Sequence, residues 1–566
     1  MPDTRTIRAH IQHLLERAVA AAIAAGDLPD VAVPSAAPER PKDTANGDYA
    51  STLPLRMARS AMKPPIEVAR AIAKHMPADP TLEPATVAPP GFVNLRLTAG
   101  FVQSQVEHVI STGATYADLA IGSGKKAQVE FVSANPTGPL HVGNGRGAAI
   151  GDALASALGA AGYEVEREYY VNDAGTQTDI FADTLYARYQ QLFGRDVAIP
   201  KDGYPGAYMV ELAEEVRTEA GDLFLRPLGE PTPPDLATLG IELMVRHIRQ
   251  SATKFGVNYD HWFSEKSLYD PEGTYATAMG VLREKGYLAE REGALWFSSS
   301  ELGEDKDNVV IRTDGRPTYY ASDIAYHYEK FLRRGFDLVI DVWGADHHGH
   351  VSRLKTATTA IGADANNLHI LLYQLVVLKR GGEVVRLSKR RDEIITLDEL
   401  IDEVGADAAR FFFLLRSPGS QMEFDLDLAV QQSSENPVFY VQYAHARLAS
   451  ILARALDAGI TPDGGDVSLL NQPQELALIR EMMRLTDVIE ICATTFEPQH
   501  LPHYAMALAN AFHAFNDAFK QQGDSNLKVI TDDIAMTKAR LRLVLAAKIS
   551  LARVLELMGM NAPERM

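Results

Sequence analysis

The chain has 566 residues, room for three or four domains at about 100–200 residues each, and its 46% apolar and 23% charged residues are ordinary for a globular protein with ample core. A single cysteine, Cys492, excludes an internal disulfide and a cysteine-based zinc site, and suits the reducing cytoplasm, which is the location expected. The net charge of −19 argues against nucleic acid as a partner of the whole surface, although a sum over the chain says nothing of one basic groove on an acidic body.

Taken in chain order, the start carries an early Asp3 and no apolar segment behind a basic head, so no secretory signal is expected. Residues 5–25 read as an amphipathic helix, with Ile7, Ile11, Leu14, Leu15 and Val19 near helical spacing. A proline-punctuated loop at 29–42 leads to a second helix over 55–76, broken around Pro64-Pro65. After Pro89-Pro90 the alternation of Val93, Leu95 and Leu97 predicts a strand. Residues 1–110 are thus expected to form a small α+β domain.

AQVEFVS (127–133) reads as a buried strand. It runs into the Pro/Gly-rich turn ANPTGPLHVGNGRG, then a helix over AAIGDALASALGAAG closed by Gly159 or Gly162, then a second strand, EVEREYYV (164–171). Such a strand–loop–helix–strand unit builds a parallel, doubly wound sheet. Residues 195–260 carry little strand signal and are expected to be a mostly helical insertion. FDLVIDVWG (336–344) and NLHILLYQLVVL (367–378) read as further buried strands, with a helix over VSRLKTATTAIGA between them.

From about residue 410 long helices take over. Asn436-Pro437 supplies an N-cap and a proline at the first helical position. Leu478, Met482, Leu485 and Ile489 step by four, three and four, and two more helices are expected at 501–521 and 534–559. The fold class expected is multidomain α/β: a parallel-sheet domain at 111–410 with the helical insertion, the small N-terminal α+β domain, and an all-α bundle at 411–566. Nowhere does an apolar run approach the ~18 residues a membrane-spanning helix needs, so no membrane partner is expected.

Two stretches carry chemistry. Between Ser133 and Gly147 a tight turn shaped by Pro136, Gly138 and Pro139 sets His141 beside Gly143 just before a helix. A helix N-terminus presents free N–H groups and partial positive charge, which suit phosphate. Gly143 lets a ligand approach the backbone, and His141 and Asn144 supply donors. A structural turn with an incidental histidine is the plainer alternative. The second stretch, VVRLSKRRDEI (384–394), puts Ser388, Lys389 and two arginines in a short polar loop. Such a loop can neutralise a pyrophosphate leaving group, or be only a solvated basic loop. GNGRG (143–147) also admits a dinucleotide reading, hence a nicotinamide-dependent oxidoreductase, but Ala148 stands where the third glycine belongs.

Together HVGN and RLSKR, each following a strand-like run, resemble the HIGH and KMSKS motifs of class I aminoacyl-tRNA synthetases. Asn144 replaces the last histidine of the first motif and Arg386 the opening lysine of the second, each keeping a donor or a positive charge. The stretches VEFVSANPTGPLHVGNGRGAAIGDALA, EREYYVNDAGTQ, WGADHHGHVSRLK, FDLDLA, ENPVFYVQYAHAR and the terminal APERM resemble the arginyl-tRNA synthetases in particular. That resemblance runs from the N-terminal domain to the last residue.

The resemblance implies a Rossmann-like catalytic domain, an N-terminal domain that binds tRNA and a C-terminal anticodon-binding bundle. It implies that arginine attacks ATP to give arginyl-adenylate and pyrophosphate, and that the tRNA(Arg) terminal ribose then takes the arginyl group and releases AMP. ATP is the nucleotide substrate, Mg²⁺ accompanies it, no metal is held by the protein, and a monomer is expected. His141, Asn144 and Lys389 are the catalytic residues implied. Gly143, Ser388 and, near the ribose, Gly344, Asp346 and His347 join them around ATP. The histidines of GADHHGH admit a metal site instead, though Asp346 can accept from ribose hydroxyls without one.

A guanidinium carries five donors in a planar fork and no acceptor, so a selective arginine pocket must supply carboxylates. The resemblance places Glu265, Tyr319 and Asp323 around it, Ser133 and Asn135 at the amino-acid end, and Glu130 on the strand leading in. Asp323 can instead cap the helix that follows it, and Tyr319 can be core, whereas a charge at Glu130 in an apolar strand needs a partner. Tyr440, Tyr443 and Arg447 are implied to meet tRNA by base stacking and phosphate contact, with bundle core the alternative. Lys538, Arg540, Arg542, Lys548 and Arg553 form either a basic face or a solvated one. A non-catalytic RNA-binding relative is the remaining alternative of another class.

Overall fold

The protein, here a computed structural model, is described over residues 6–385, 395–521 and 528–566. At the N-terminus Thr6 accepts from the Ala9 N–H and caps a helix, Ile7–Ala24, that buries Ile11, Leu14, Leu15, Ala18 and Val19. The proline pair splits the next helix as expected, into Leu53–Ala61 and Pro65–Lys74. The strand read at Val93–Leu97 lies over Phe92–Leu95, in the middle of a three-stranded antiparallel sheet between Tyr49–Ser51 and Thr86–Ala88.

The centre of the molecule is a five-stranded parallel sheet. Its strands lie in the order Leu368–Tyr373, Leu338–Gly344, Lys126–Phe131, Glu164–Val171, His261–Ser264. Lys126–Phe131 comes first in sequence yet lies in the middle. From it the chain builds outward on one side through Glu164–Val171, then on the other through Leu338–Gly344. In such a sheet the strand order reverses beside the first strand, and the crevice outside the carboxyl ends at that point is where ligands bind. The two inner strands Lys126–Phe131 and Leu338–Gly344 are buried almost throughout, as strands covered on both faces are. On one face the helix Val142–Ala160 lies so close that a Cβ on Gly151 would come within 2.2 Å of the Phe131 ring, so a glycine is needed there.

NLHILLYQLVVL is not one strand. Leu368–Tyr373 belongs to the central sheet, and Val376–Arg380 belongs to a second sheet with Met422–Asp425 and Glu383–Val384. No turn residue marks the break. Long-range bonds set it: the Gln374 carbonyl accepts from buried Arg146, and the Gln374 N–H donates to the Pro418 carbonyl. The helix after the turn starts at Val142, ahead of AAIGDALASALGAAG, and Gly162 at φ +93° follows its end. The insertion is helical, with Tyr208–Ala220 and Pro234–Lys254. Sequence reading missed the small antiparallel sheet of Leu288–Arg291, Ala294–Phe297 and Asn308–Ile311.

The C-terminal helices are Pro437–Asp457, Pro473–Thr495, His500–Gln521 and Ile534–Leu557. Asn436 caps the first, and Leu478, Met482, Leu485 and Ile489 are buried as their spacing requires. The cations of the last helix form neither a basic face nor a solvated one. Arg540 is buried against Glu475, Arg542 pairs with Glu107, Arg553 with Asp118 and Lys548 with Glu564, while Lys538 donates to the Asp463 carbonyl. This helix is buried on most sides and packs on Ala99–Thr112, so its charged side chains had to find acidic partners. Among the described residues no helix is long and apolar enough to cross a membrane.

One buried side chain joins the units. Arg410, on the helix Ala406–Leu414, donates to the Asp152 carboxylate in Val142–Ala160, to the Met558 carbonyl at 2.7 Å and to the Phe255 carbonyl at 3.1 Å. Arg410→Ala leaves those acceptors short of a donor, and is expected to cost about 3–5 kcal/mol of unfolding free energy. Urea denaturation checks this, and a loss under about 1 kcal/mol, the range of an exposed pair, would contradict it.

Candidate active site

At the carboxyl end of Lys126–Phe131 the chain makes an unfavourable bend: Val132 (φ +70°) and Ser133 (φ +42°) are both left-handed. For a β-branched valine this is an outlier, and such residues cost on the order of 1–3 kcal/mol each. The bend folds Ser133 back, so that its hydroxyl donates to Glu130 Oε1 at 2.8 Å and accepts from the Tyr170 N–H at 3.1 Å. The partner that Glu130 needs is Lys330, whose ammonium lies 2.6 Å from Oε2 and 2.8 Å from Asp341. Asn135 is exposed, and its amide donates to Gln177 at 2.6 Å.

His141 is the N-cap of Val142–Ala160. Its Nδ1 accepts from the Asn144 N–H at 3.3 Å, and Asn144 Oδ1 accepts from the His141 N–H at 2.9 Å, a reciprocal capping box. This narrows the expectation: these atoms close the helix, and Nε2 carries the ring proton. Among the described residues, His141 Nε2 and the Asn144 amide N–H groups take no partner. Burial lowers the His141 pKa, which keeps the ring neutral. The reason for Gly143 also differs from the one expected, since a Cβ there would come 2.9 Å from His141 Cε1. The glycine makes room for the histidine ring.

Ser388 and Lys389 lie outside the described residues, but the chain before and after them is described. Ahead of them the Val385 N–H donates to the Leu378 carbonyl. Behind them the chain is stitched to the His141 segment: Val142 N–H donates to Ile395, Leu397 N–H donates to Leu140, and His141 bridges Thr396. On the other flank Gly344 ends its strand, and Asp346 and His347 follow in a single 3₁₀ turn, exposed and 3.5 Å apart. Burial and the neighbouring Asp346 charge push Tyr373 up to about 12, and the same ring fills the space beside Gly147. Tyr373 thus lies between this flank and the helix that His141 caps.

Two further carboxylates of the expected site, Glu265 and Asp323, belong to separate elements. Glu265, only 4% exposed, directly follows the strand His261–Ser264. The helix Tyr319–Tyr328 carries Tyr319, Ser322 and Asp323. Asp323 is the fifth residue of that helix and Thr318 occupies its N-cap, which disposes of the capping alternative. Tyr319 is 51% exposed, which disposes of core. Burial, then the neighbouring Asp323 and Asp173 charges, push Glu265 up to about 7 against hydrogen bonds from Ser322 and Tyr170. Burial pushes Asp323 up to about 6, with Glu130 and Asp341 adding to it and His327 and Arg353 opposing. Among the described residues neither carboxylate has an ion pair. The Asn172 amide, oriented to satisfy both its ends, donates to Glu265 at 2.6 Å. Tyr170, Asn172, Ser322 and Lys330 were not singled out in the sequence. EREYYVNDAGTQ was the one available signal, for Tyr170 and Asn172.

On the C-terminal bundle Tyr440 is half-buried and donates to Asn510 at 2.6 Å. Tyr443 is exposed, with its ring nearly parallel to Phe439 (10°) and to His513 (15°), and half-buried Arg447 follows one turn later. Tyr443 is thus not core, and an aromatic row lies open at the start of this helix.

Three family models match the chain: the arginyl tRNA synthetase N terminal domain over residues 6–97, the catalytic domain of class I (R) tRNA synthetases over 105–413, and the DALR anticodon binding domain over 441–566. The arginine–tRNA ligase of Dehalococcoides mccartyi is 49% identical over 552 residues, 98% of each chain. That of Carboxydothermus hydrogenoformans is 46% identical over 93% of this chain and 94% of its own. Among solved structures, a putative arginyl-tRNA synthetase from Campylobacter jejuni superposes with a TM-score of 0.74 at 33% identity, over 83% of this chain and all of that one. The Thermus thermophilus arginyl-tRNA synthetase shares the fold, with a TM-score of 0.76 at 23% identity over 98% of this chain and all of that one.

Proposed function

The chain belongs to the arginyl-tRNA synthetase family, and from that premise we propose that the pocket of Glu265 and Asp323 receives the arginine guanidinium. The activity is that of an arginine–tRNA ligase, which uses ATP to join arginine to tRNA. One observation carries the assignment of the pocket: Glu265 and Asp323 are both raised in pKa, first by burial, the Asp323 charge adds to the shift of Glu265, and among the described residues neither has an ion pair. A guanidinium supplies a positive charge and donors for both. Tyr319 covers it, Ser133 and Asn135 hold the amino-acid end, and Glu130 acts on that end through Ser133.

ATP lies along the N-terminus of Val142–Ala160, its phosphates toward His141, Gly143 and Asn144 and its ribose toward Gly344, Asp346 and His347. The donors at the helix tip are neutral, so most of the triphosphate charge must be met elsewhere. Ser388 and Lys389 meet part of it, a few residues ahead of Ile395 and Leu397, which are bonded to the His141 segment. Mg²⁺, which takes most of its oxygens from phosphates and water, supplies the rest. The arginine carboxylate attacks the α-phosphorus and pyrophosphate leaves. The terminal ribose hydroxyl of tRNA then attacks the adenylate carbonyl and AMP leaves. The protein positions these groups and stabilises charge, and no side chain serves as nucleophile. Tyr440, Tyr443 and Arg447 meet the tRNA anticodon arm by stacking and phosphate contact. The reading includes a monomeric cytoplasmic enzyme whose three parts divide near residues 110 and 410.

Bulk bacterial tRNA incubated with the protein, ATP and labelled arginine should become charged, and labelled lysine should not replace arginine. Absence of arginine charging would sink the reading and leave a non-catalytic RNA-binding relative. Pyrophosphate exchange without tRNA is expected near background and to appear when tRNA is added. Brisk exchange in its absence would show that the pocket closes on arginine without tRNA.

A further inference from the structure

Lys330 has no part in the assignments above, yet it pairs with Glu130, whose other oxygen holds the Ser133 hydroxyl. It sits in a single π-turn, Glu329–Arg333, that continues the helix bearing Tyr319 and Asp323. Such turns recur at functional sites. The side chain is fully buried. Its ammonium donates to Glu130 at 2.6 Å and to Asp341 at 2.8 Å, and lies 4.2 Å from the centre of the Tyr326 ring. Asp341 also faces His327 Nε2 at 3.1 Å, and His327 Nδ1 donates to the Asp323 carbonyl at 2.8 Å. Burial works against the Lys330 charge, but Asp341 and Glu130 raise its pKa, and the Lys330 ammonium and His327 hold Asp341 below the usual carboxylate range despite its own burial.

Buried ion pairs contribute little net stability compared with apolar side chains of the same volume, so this one calls for another reason. Glu130 supplies it. With Oε2 fixed by Lys330, Oε1 is presented to the Ser133 hydroxyl at 2.8 Å, and that bond anchors the left-handed Val132–Ser133 bend. We propose that Lys330 is a positioning residue for arginine, acting through Glu130 to hold Ser133 where the amino-acid end of the substrate binds. It touches no substrate itself. The inference rests on the reading of Ser133 given under Proposed function.

The test uses the full-length Lys330→Met/Asp341→Asn variant, which removes one buried cation and one buried anion together. Two constants are read: the arginine KM in tRNA charging, and the inhibition constant of butylguanidine, a guanidinium on an alkyl chain without an amino-acid end. The arginine KM is expected to rise roughly tenfold, the effect of one charge-assisted hydrogen bond. The constants for butylguanidine and ATP should stay within about twofold, as for uncoupled sites. In a Ser133→Ala background the same change should add little further. An unchanged arginine KM, or equal rises for arginine and butylguanidine, overturns the proposal. If thermal unfolding shows that the paired variant does not fold, Lys330→Gln is read by the same two constants with the same outcomes deciding. Failure of the underlying reading looks different: Ser133→Ala alone would leave the arginine KM of the otherwise wild-type protein unchanged.

Discussion

Asp323→Asn is expected to raise the arginine KM by about 100-fold, because removing one partner of a buried, hydrogen-bonded charge pair costs about 2–5 kcal/mol. The ATP KM should stay within about twofold, since Asp323 belongs to a different helix from the one whose tip is proposed to bind the phosphates. Asparagine keeps the shape of the side chain, so the change isolates its charge. A stability measurement separates function from architecture. The folded pKa of Asp323 is about 6 against an ordinary 3.8, so the empty protein binds this proton more tightly than the unfolded chain does. Stability therefore falls as pH rises through that window and stays reduced above it. Asparagine has no such penalty, and the variant should be at least as resistant to heat as the parent at pH 7.5. A structural aspartate would behave oppositely, with lower stability and equal losses for arginine and ATP.

How much of this was legible in the sequence depended on how local each cause was. The turn through His141 and Asn144 could be read because its prolines, glycines and capping residues are contiguous, and the spacing of His141 and Asn144 is that of a capping box. Helices such as Ile7–Ala24 and Pro473–Thr495 could be read because their apolar positions repeat at the helical period. Causes from distant sequence could not. Glu130 announced that it needed a cation, but nothing local pointed to Lys330, two hundred positions on. The break after Tyr373 is marked in the run only by Gln374, which is no turn residue, since it is made by Arg146 and Pro418. The cations of the last helix looked like a surface because their partners Glu107, Asp118 and Glu475 come from other parts of the chain. Glu265 and Asp323 are too far apart in sequence for local pattern to pair them, and only the family resemblance joined them.

Lowering the pH should weaken arginine binding along a curve set by that pocket. The guanidinium stays charged throughout, so the dependence belongs to the protein. With no arginine bound, Glu265 titrates at about 7 and Asp323 at about 6, each raised first by burial. Above that range both are ionised and the arginine KM should be flat. Between them one proton must leave when the guanidinium enters, and KM should rise about tenfold per pH unit. Below the lower value two protons must leave, and the slope should approach about a hundredfold per unit. Butylguanidine inhibition should follow the same curve, which excludes the amino-acid end of arginine as its source. Asp323→Asn should keep the shallow limb and lose the steep one, because only Glu265 is then left to titrate. A KM that is flat from about pH 8 to 5.5, or a steep limb that survives in that variant, would mean that these two carboxylates do not jointly receive the guanidinium.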